Sequence, residues 1–157
     1  MRTRRRTFLA SLLLAAAGFG LACGPVGPIR GVRLRGPVEP APAVWSAIDS
    51  VRTVQLETRP DDPQSVNVWL GVVGGEPFIA TSLIRGTDVP AERGWVKNVL
   101  ADPRVRLRVD GRVHELKAIR VDDAAQAERV REAMMKKYDV DPDAHASAAW
   151  VFRLEPR

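Results

Sequence analysis

The chain has one cysteine, Cys23, and only two histidines, His114 and His145. One cysteine cannot close an internal disulfide or build a multi-thiolate metal site. Two imidazoles without further thiols exclude a histidine-rich metal centre. Cys23 falls at the end of a leader, so the folded part has no cysteine nucleophile either. No Ser–His–Asp set, carboxylate pair or G-x-x-x-x-G-K loop is present. That argues against hydrolases and nucleoside triphosphatases. Hydride chemistry, which needs few protein acid–base groups, survives the exclusion, and so does a non-catalytic role.

An excess of positive charge is also scarce where it would matter. The formal charge is +5, but residues 1–22 carry four arginines and no acid. Without them, 20 basic residues face 19 acidic ones. Net charge therefore makes no case for nucleic-acid binding. A long apolar run is missing as well. Ser11 to Ala22 is shorter than the roughly 20 residues a typical transmembrane helix needs.

What the first 23 residues do contain is a secretory leader: a basic start, a short apolar core and small residues before a break. Arg5-Arg6-Thr7-Phe8-Leu9 resembles the twin-arginine export signal R-R-x-F-L, a receptor-read address. Gly20-Leu21-Ala22-Cys23 resembles a bacterial lipobox, which implies lipidation at Cys23. Residues 1–22 read as signal peptide and 23–43 as a lipidated cysteine followed by a Pro/Gly-rich linker. Residues 44–157 read as one domain. In the linker, Arg30, Arg33 and Arg35 are available to anionic lipid.

Periodicity supplies the domain's elements. A short helix is expected over Val44–Ser50, and strands over Val51–Thr58, Val66–Val73 and Phe78–Leu83. Gly74-Gly75 marks a hairpin. A helix over 90–101 opens at Pro90, turns Trp95, Val99 and Leu100 to one side, and stops at Asp102-Pro103. Arg104–Val109 alternates between valine or leucine and arginine. The arginine face at 104, 106 and 108 reads as solvated. Asp110-Gly111 predicts a type I′ turn into a strand over Arg112–Val121, with a change of phase between Leu116 and Ile119. Asp122-Asp123 caps a helix whose buried face is Ala127, Val130, Met134 and Tyr138, with Glu132 and Lys136 paired across one turn. Ala149–Leu154 closes the chain as a strand. The expected class is mainly β with helices (α+β), a small six-stranded antiparallel barrel with two or three helices in the crossovers. His114 and His145 read as surface residues. The acids Asp139, Asp141 and Asp143 lack the glycine and glutamate of a calcium loop.

Polar, cationic and aromatic groups concentrate between Ile79 and Pro103. Thr81 and Ser82 offer hydroxyls at a strand end or are ordinary strand residues, Arg85 and Arg93 are guanidinium forks or solvated loop charges, and Lys97 is a point charge. The helix start near Pro90 adds free N–H groups. Trp95 either stacks on a planar ring or plugs the barrel. Asn98 either binds a ligand or bridges backbone.

The run Trp95, Asn98, Val99, Ala101, Asp102, Pro103 and Val105 resembles the W-x-x-N-L-x-A-N-P-x-V pattern of the FMN-binding split β-barrel superfamily. It is nearest the deazaflavin-dependent nitroreductase and quinone-reductase branch. Asp102 and Val99 stand where asparagine and leucine are commoner. The resemblance implies a pyridoxamine-phosphate-oxidase-like fold, a cofactor that is FMN or a deazaflavin, no metal, and a site built between two subunits of a homodimer. It implies cofactor binding by Thr81, Ser82, Arg85, Arg93, Trp95, Lys97 and Asn98. The expected function is an exported, membrane-anchored oxidoreductase reducing a quinone, nitro compound or similar electrophile. The alternative is a non-catalytic lipoprotein that keeps the barrel. In the quinone reductases an N-terminal segment helps cover the coenzyme, and here the Pro/Gly-rich stretch occupies that place.

Overall fold

The computed structural model describes residue 25 and residues 29–81, 90–141 and 149–157. The leader with its arginine pair, Cys23, Ser82, Arg85, Asp143 and His145 lie outside the described residues. Six strands, β1 (Thr53–Thr58), β2 (Gln64–Val73), β3 (Glu76–Ala80), β4 (Arg104–Val109), β5 (Arg112–Arg120) and β6 (Val151–Pro156), form the barrel. Their order around it is β1-β2-β3-β6-β5-β4, every pair is antiparallel, and β4 closes on β1. Two α-helices accompany them, α1 (Gly94–Ala101) and α2 (Ala124–Tyr138).

Two turn pairs set the hairpins. Gly74-Gly75 and Asp110-Gly111 all have positive φ, between 47° and 84°. That is the backbone a type I′ turn needs between right-twisted strands. Alternation then sorts side chains. Val54, Leu56, Val68, Leu70, Ile79, Val105, Leu107, Leu116, Phe152 and Leu154 fill the interior and are at most 6 % exposed. Burial of one such side chain stabilises the fold by about 1.5–3 kcal/mol. The sequence period also holds in α2, whose Ala127, Val130, Met134 and Tyr138 pack with Phe78, Ala80 and Val151 on the outer face of β3 and β6. Gly71 lets α2 come close to β2, because a Cβ there would lie 2.7 Å from Met134 Cγ. Asp123 caps α2 by accepting the N–H of Gln126. The pair on α2 is Glu128–Arg131, not Glu132–Lys136.

Several expectations need correction. The helix expected over Val44–Ser50 shrinks to a 3₁₀ turn at Ser46–Ile48. The helix expected over 90–101 is interrupted at Arg93, whose φ −62° and ψ 131° are extended. A 3₁₀ turn at Pro90–Glu92 precedes α1. Val96 rather than Leu100 joins Val99 in the core, and Leu100 is 54 % exposed. No phase change occurs between Leu116 and Ile119. Leu116 and Ala118 point inward and Ile119 is partly exposed.

The largest correction concerns residues 23–43. Their described part is no free linker: the Pro25 carbonyl accepts from Gln55 and Asn67, and from Ile29 onward the chain is a strap across the barrel. Gly31 pairs with Ser65 of β2, and Val38 bridges Val113 of β5. Between them Leu34 is buried and its N–H donates to the Glu57 carboxylate on β1. Arg108 of β4 donates to the Arg35 carbonyl at 3.0 Å. The strap thus crosses β2, β1, β4 and β5 in their order around the barrel. Gly36, at φ 147°, passes so close to the β4–β5 turn that a Cβ would lie 2.3 Å from the Gly111 carbonyl oxygen. The strap ends in Trp45, whose side chain is 3 % exposed and plugs one end of the barrel and whose backbone N–H donates to the Gly75 carbonyl.

The strap also reverses the reading of the arginine face. Only Arg104 is well exposed. Arg106 is 13 % exposed and reaches both oxygens of Glu57 at 3.1 Å, and Glu57 itself is 2 % exposed. His114 is likewise no surface residue. It is 6 % exposed and edge-on to Trp45 at 5.2 Å. Its Nδ1 lies 3.2 and 3.1 Å from the Glu39 and Pro40 carbonyls, so Nδ1 carries the proton.

Candidate functional site

The end of the barrel opposite Trp45 is where β1 and β3 finish and β4 and β6 begin, and α1 packs there. Val96 and Val99 anchor the helix in the core. Asn98 donates its amide to Thr58 Oγ1 at 2.9 Å, tying α1 to β1. Asp102 ends the helix, its N–H bonded to the Asn98 carbonyl. The Asp102 carboxylate is gripped by the Arg104 backbone N–H and guanidinium. Those Arg104 hydrogen bonds hold its pKa down at about 2.

Two of the expected site residues converge on the start of β6. Thr81, buried at the end of β3, donates its backbone N–H to the Trp150 carbonyl and accepts the Trp150 N–H through Oγ1 at 2.9 Å. Trp95 meets Phe152 edge-on at 5.3 Å and stays partly exposed. The Arg120 guanidinium sits 3.8 Å from the Trp150 ring centroid, a cation–π contact. Thr81 and Asn98 therefore serve first as ties within the chain.

Arg93 and Lys97 stand one helical turn apart at the start of α1, with the Lys97 N–H bonded to the Arg93 carbonyl. Arg93 is the N-cap yet contributes no side-chain cap, and the first turn of α1 contains no acid. The nearest acid in sequence, exposed Glu92, precedes the cap. Lys97 is exposed and forms no ion pair among the described residues. A third cation arrives from the strap. Arg30 Nη2 lies 3.1 Å from where a Cβ on Gly94 would be. A helix N-terminus carries a partial positive charge and unsatisfied N–H groups. Arg93 has an interaction of its own within the chain, but cations beside a first turn that holds no acid among the described residues still oppose the helix's own preference and favour an anion there. Such local conflicts concentrate at functional sites.

Sequence reasoning missed Arg30, Arg120 and Trp150. Trp150 carried a signal, its alternation with Phe152 and Leu154. Arg30 carried none, because its position depends on the path of the strap. Among the described residues no group of three His, Cys, Asp or Glu could hold a metal ion.

The closed six-stranded barrel, with α1 in the β3–β4 crossover and α2 in the β5–β6 crossover, is the split β-barrel of pyridoxamine-phosphate-oxidase-like proteins. Solved structures share it. The conserved hypothetical protein Rv2991 from Mycobacterium tuberculosis is 22 % identical, with a TM-score of 0.54 over 70 % of this chain and 76 % of that one. A candidate pyridoxamine 5′-phosphate oxidase from Listeria innocua is 15 % identical, with a TM-score of 0.51 over 70 % and 87 %. At these identities the likeness establishes the fold alone. No curated protein matches in sequence. The sequence profile of the F420H2-dependent quinone reductases matches residues 62–148, more than half of the chain, and the chain belongs to that family. The family's cofactor is the deazaflavin F420. The matched span includes α1 with Arg93, Trp95, Lys97 and Asn98, whereas the strap lies outside it.

Proposed function

We propose that this protein is an exported, membrane-anchored reductase that uses reduced F420 to reduce a quinone, nitro compound or similar small electrophile. The observation that carries the reading is the first turn of α1, which holds no acid and has Arg93 and Lys97 beside it, inside the span matched by the family. When bound, the deazaflavin supplies the hydride. Arg93 and Lys97 take its anionic end through charge-assisted hydrogen bonds, with the first N–H groups of α1 beside them. Arg30 adds a cation from the strap and stands in for the covering segment of the quinone reductases. Trp95, half-buried against Phe152, offers a rigid aromatic surface to the ring system. Thr81 and Asn98 keep β3, β6, α1 and β1 in register around that surface. A homodimer and a lipid on Cys23 complete the proposal.

The reading of a non-catalytic lipoprotein draws on one observation: Thr81 and Asn98 already bind their own chain. Turnover separates the two. Purified protein mixed with F420H2 and a soluble quinone is expected to oxidise F420H2 only when protein and quinone are both present. Absence of turnover with quinone and nitro acceptors, together with no deazaflavin-induced rise in melting temperature, would leave only the non-catalytic reading. For the anchor, Cys23→Ser is expected to move the protein from the membrane to the soluble fraction, and unchanged fractionation refutes it.

A further inference from the structure

Six large apolar side chains are exposed among the described residues, and four of them, Ile29, Val32, Val38 and Val44, belong to the strap and the residues that follow it. Ile29, Val32 and Val38 are 68, 55 and 57 % exposed, while Leu34 between them is turned inward. The same stretch carries exposed Arg30, Arg33 and Arg35, of which Arg30 also reaches Gly94 and Arg33 donates to the Pro60 carbonyl, and residues 29–38 contain no acid. The strap crosses four adjacent strands, so its outward side spans three strand spacings of about 4.8 Å each. It is an apolar surface mixed with positive charge, held flat by Glu57, Ser65 and Val113. We propose that this face of the strap lies on an anionic lipid bilayer and sets the orientation of the barrel. The inference rests on the membrane-anchored reading above.

Charge complementarity selects the occupant. Valine and isoleucine enter the headgroup–acyl boundary while arginine stays at the headgroups, the composition of an interfacial segment. A second copy fits poorly. A two-fold contact through this face would set arginine against arginine without an acid between them. Position agrees, since Cys23 lies only six residues before Ile29 in the sequence. The arrangement has a functional consequence. Arg30 reaches Gly94 at the start of α1, so the strap joins the rim of the cofactor site. With the strap on lipid, that rim faces the bilayer boundary, where a membrane-dissolved quinone would arrive. The substrate class this favours is a lipid-soluble quinone.

The test uses the full chain, purified from its producing membrane and reconstituted in phosphatidylcholine vesicles with or without phosphatidylglycerol. A fluorescent amino acid replaces Val32, Val38 or, as an exposed control on β5, Ile119. Brominated lipids then report depth. The proposal expects quenching at 32 and 38 to exceed that at 119 severalfold when phosphatidylglycerol is present, and Arg35→Gln to reduce it by half or more. Protein that stays on the vesicles while 32 and 38 are quenched no more than 119 overturns the docking proposal alone. Protein that does not stay on the vesicles overturns the anchoring reading and this proposal with it. A blue shift at 32 and 38 that follows protein concentration without vesicles identifies a second copy as the occupant and overturns the bilayer.

Discussion

Substituting Glu57 with glutamine tests whether the strap belongs to the folded unit. Glu57 is 2 % exposed on the outside of the barrel. It accepts the Leu34 N–H from the strap and two hydrogen bonds from Arg106, and Arg33 lies 4.0 Å away. The substitution preserves size and an acceptor for Leu34 but removes the counter-charge of Arg106. Arg106 already has a buried Nε without a partner. Breaking a buried ion pair from one side typically costs about 3–5 kcal/mol. The retained acceptor and the 13 % exposure of Arg106 put this case near the low end, at about 3 kcal/mol. For a chain of this size that is a fall in melting temperature of roughly 10 °C. Circular dichroism in denaturant and heat measures it. Limited trypsin digestion adds a local readout, because Arg33 and Arg35 flank Leu34. If the cost falls on local opening, cleavage there accelerates on the order of 100-fold. The double variant Glu57→Met, Arg106→Met is expected to recover most of the loss, since it leaves no unpaired buried charge. A Glu57→Gln protein within about 0.5 kcal/mol of wild type, with unchanged cleavage, would return the strap to the status of a loose linker.

Other outcomes follow from the packing and the titrating groups. Gly71→Ala drives a methyl group to 2.7 Å from Met134 Cγ, and the forced shift of α2 is expected to cost about 1–3 kcal/mol in denaturant unfolding. Tyr138→Phe removes a hydroxyl that accepts the Leu70 N–H and whose single proton lies between the Arg52 and Leu70 carbonyls. A loss of about 1–3 kcal/mol is expected in the same assay. Burial pushes the Tyr138 pKa up to about 12, so the native state holds this proton more tightly than the unfolded chain. Its contribution is fully present below pH 10 and lost as pH rises towards 12, and the alkaline slope of stability in that window is expected to shrink in Tyr138→Phe. Asp102 is the opposite case. Its pKa is lowered to about 2 by Arg104, so its contribution is present above pH 3.8 and lost as pH falls towards 2. Asp102→Asn should remove that part of the acid slope.

The barrel was legible because its information is local. The alternation of Arg104–Val109, the Asp110-Gly111 turn and the period of α2 each specify an element without reference to the rest of the chain. The strap was not, because proline and glycine erase periodicity and its hydrogen bonds go to Ser65, Glu57 and Val113, far away in sequence. The same distance effect hid the burial of Glu57, Arg106 and His114. Glu57 and Arg106 are polar and lie under the strap, and His114, on the inward face of β5 with Leu116, is closed off by Trp45 and the Glu39 and Pro40 carbonyls. At the site, the family run located α1 and its cations. It could not show that Asn98 is held by Thr58 or that the Thr81 oxygen accepts the Trp150 N–H, since those partners lie 40 and 69 residues away.

On the proposed reading, the start of α1 holds the anionic end of a deazaflavin. Titration of F420 into the purified protein, followed by fluorescence, tests it most directly when wild type is compared with Lys97→Ala and Arg93→Ala. Saturable binding by wild type is expected, weakened about tenfold by loss of either cation, in line with one charge-assisted hydrogen bond. No binding by wild type, or equal affinity in all three proteins, would contradict it.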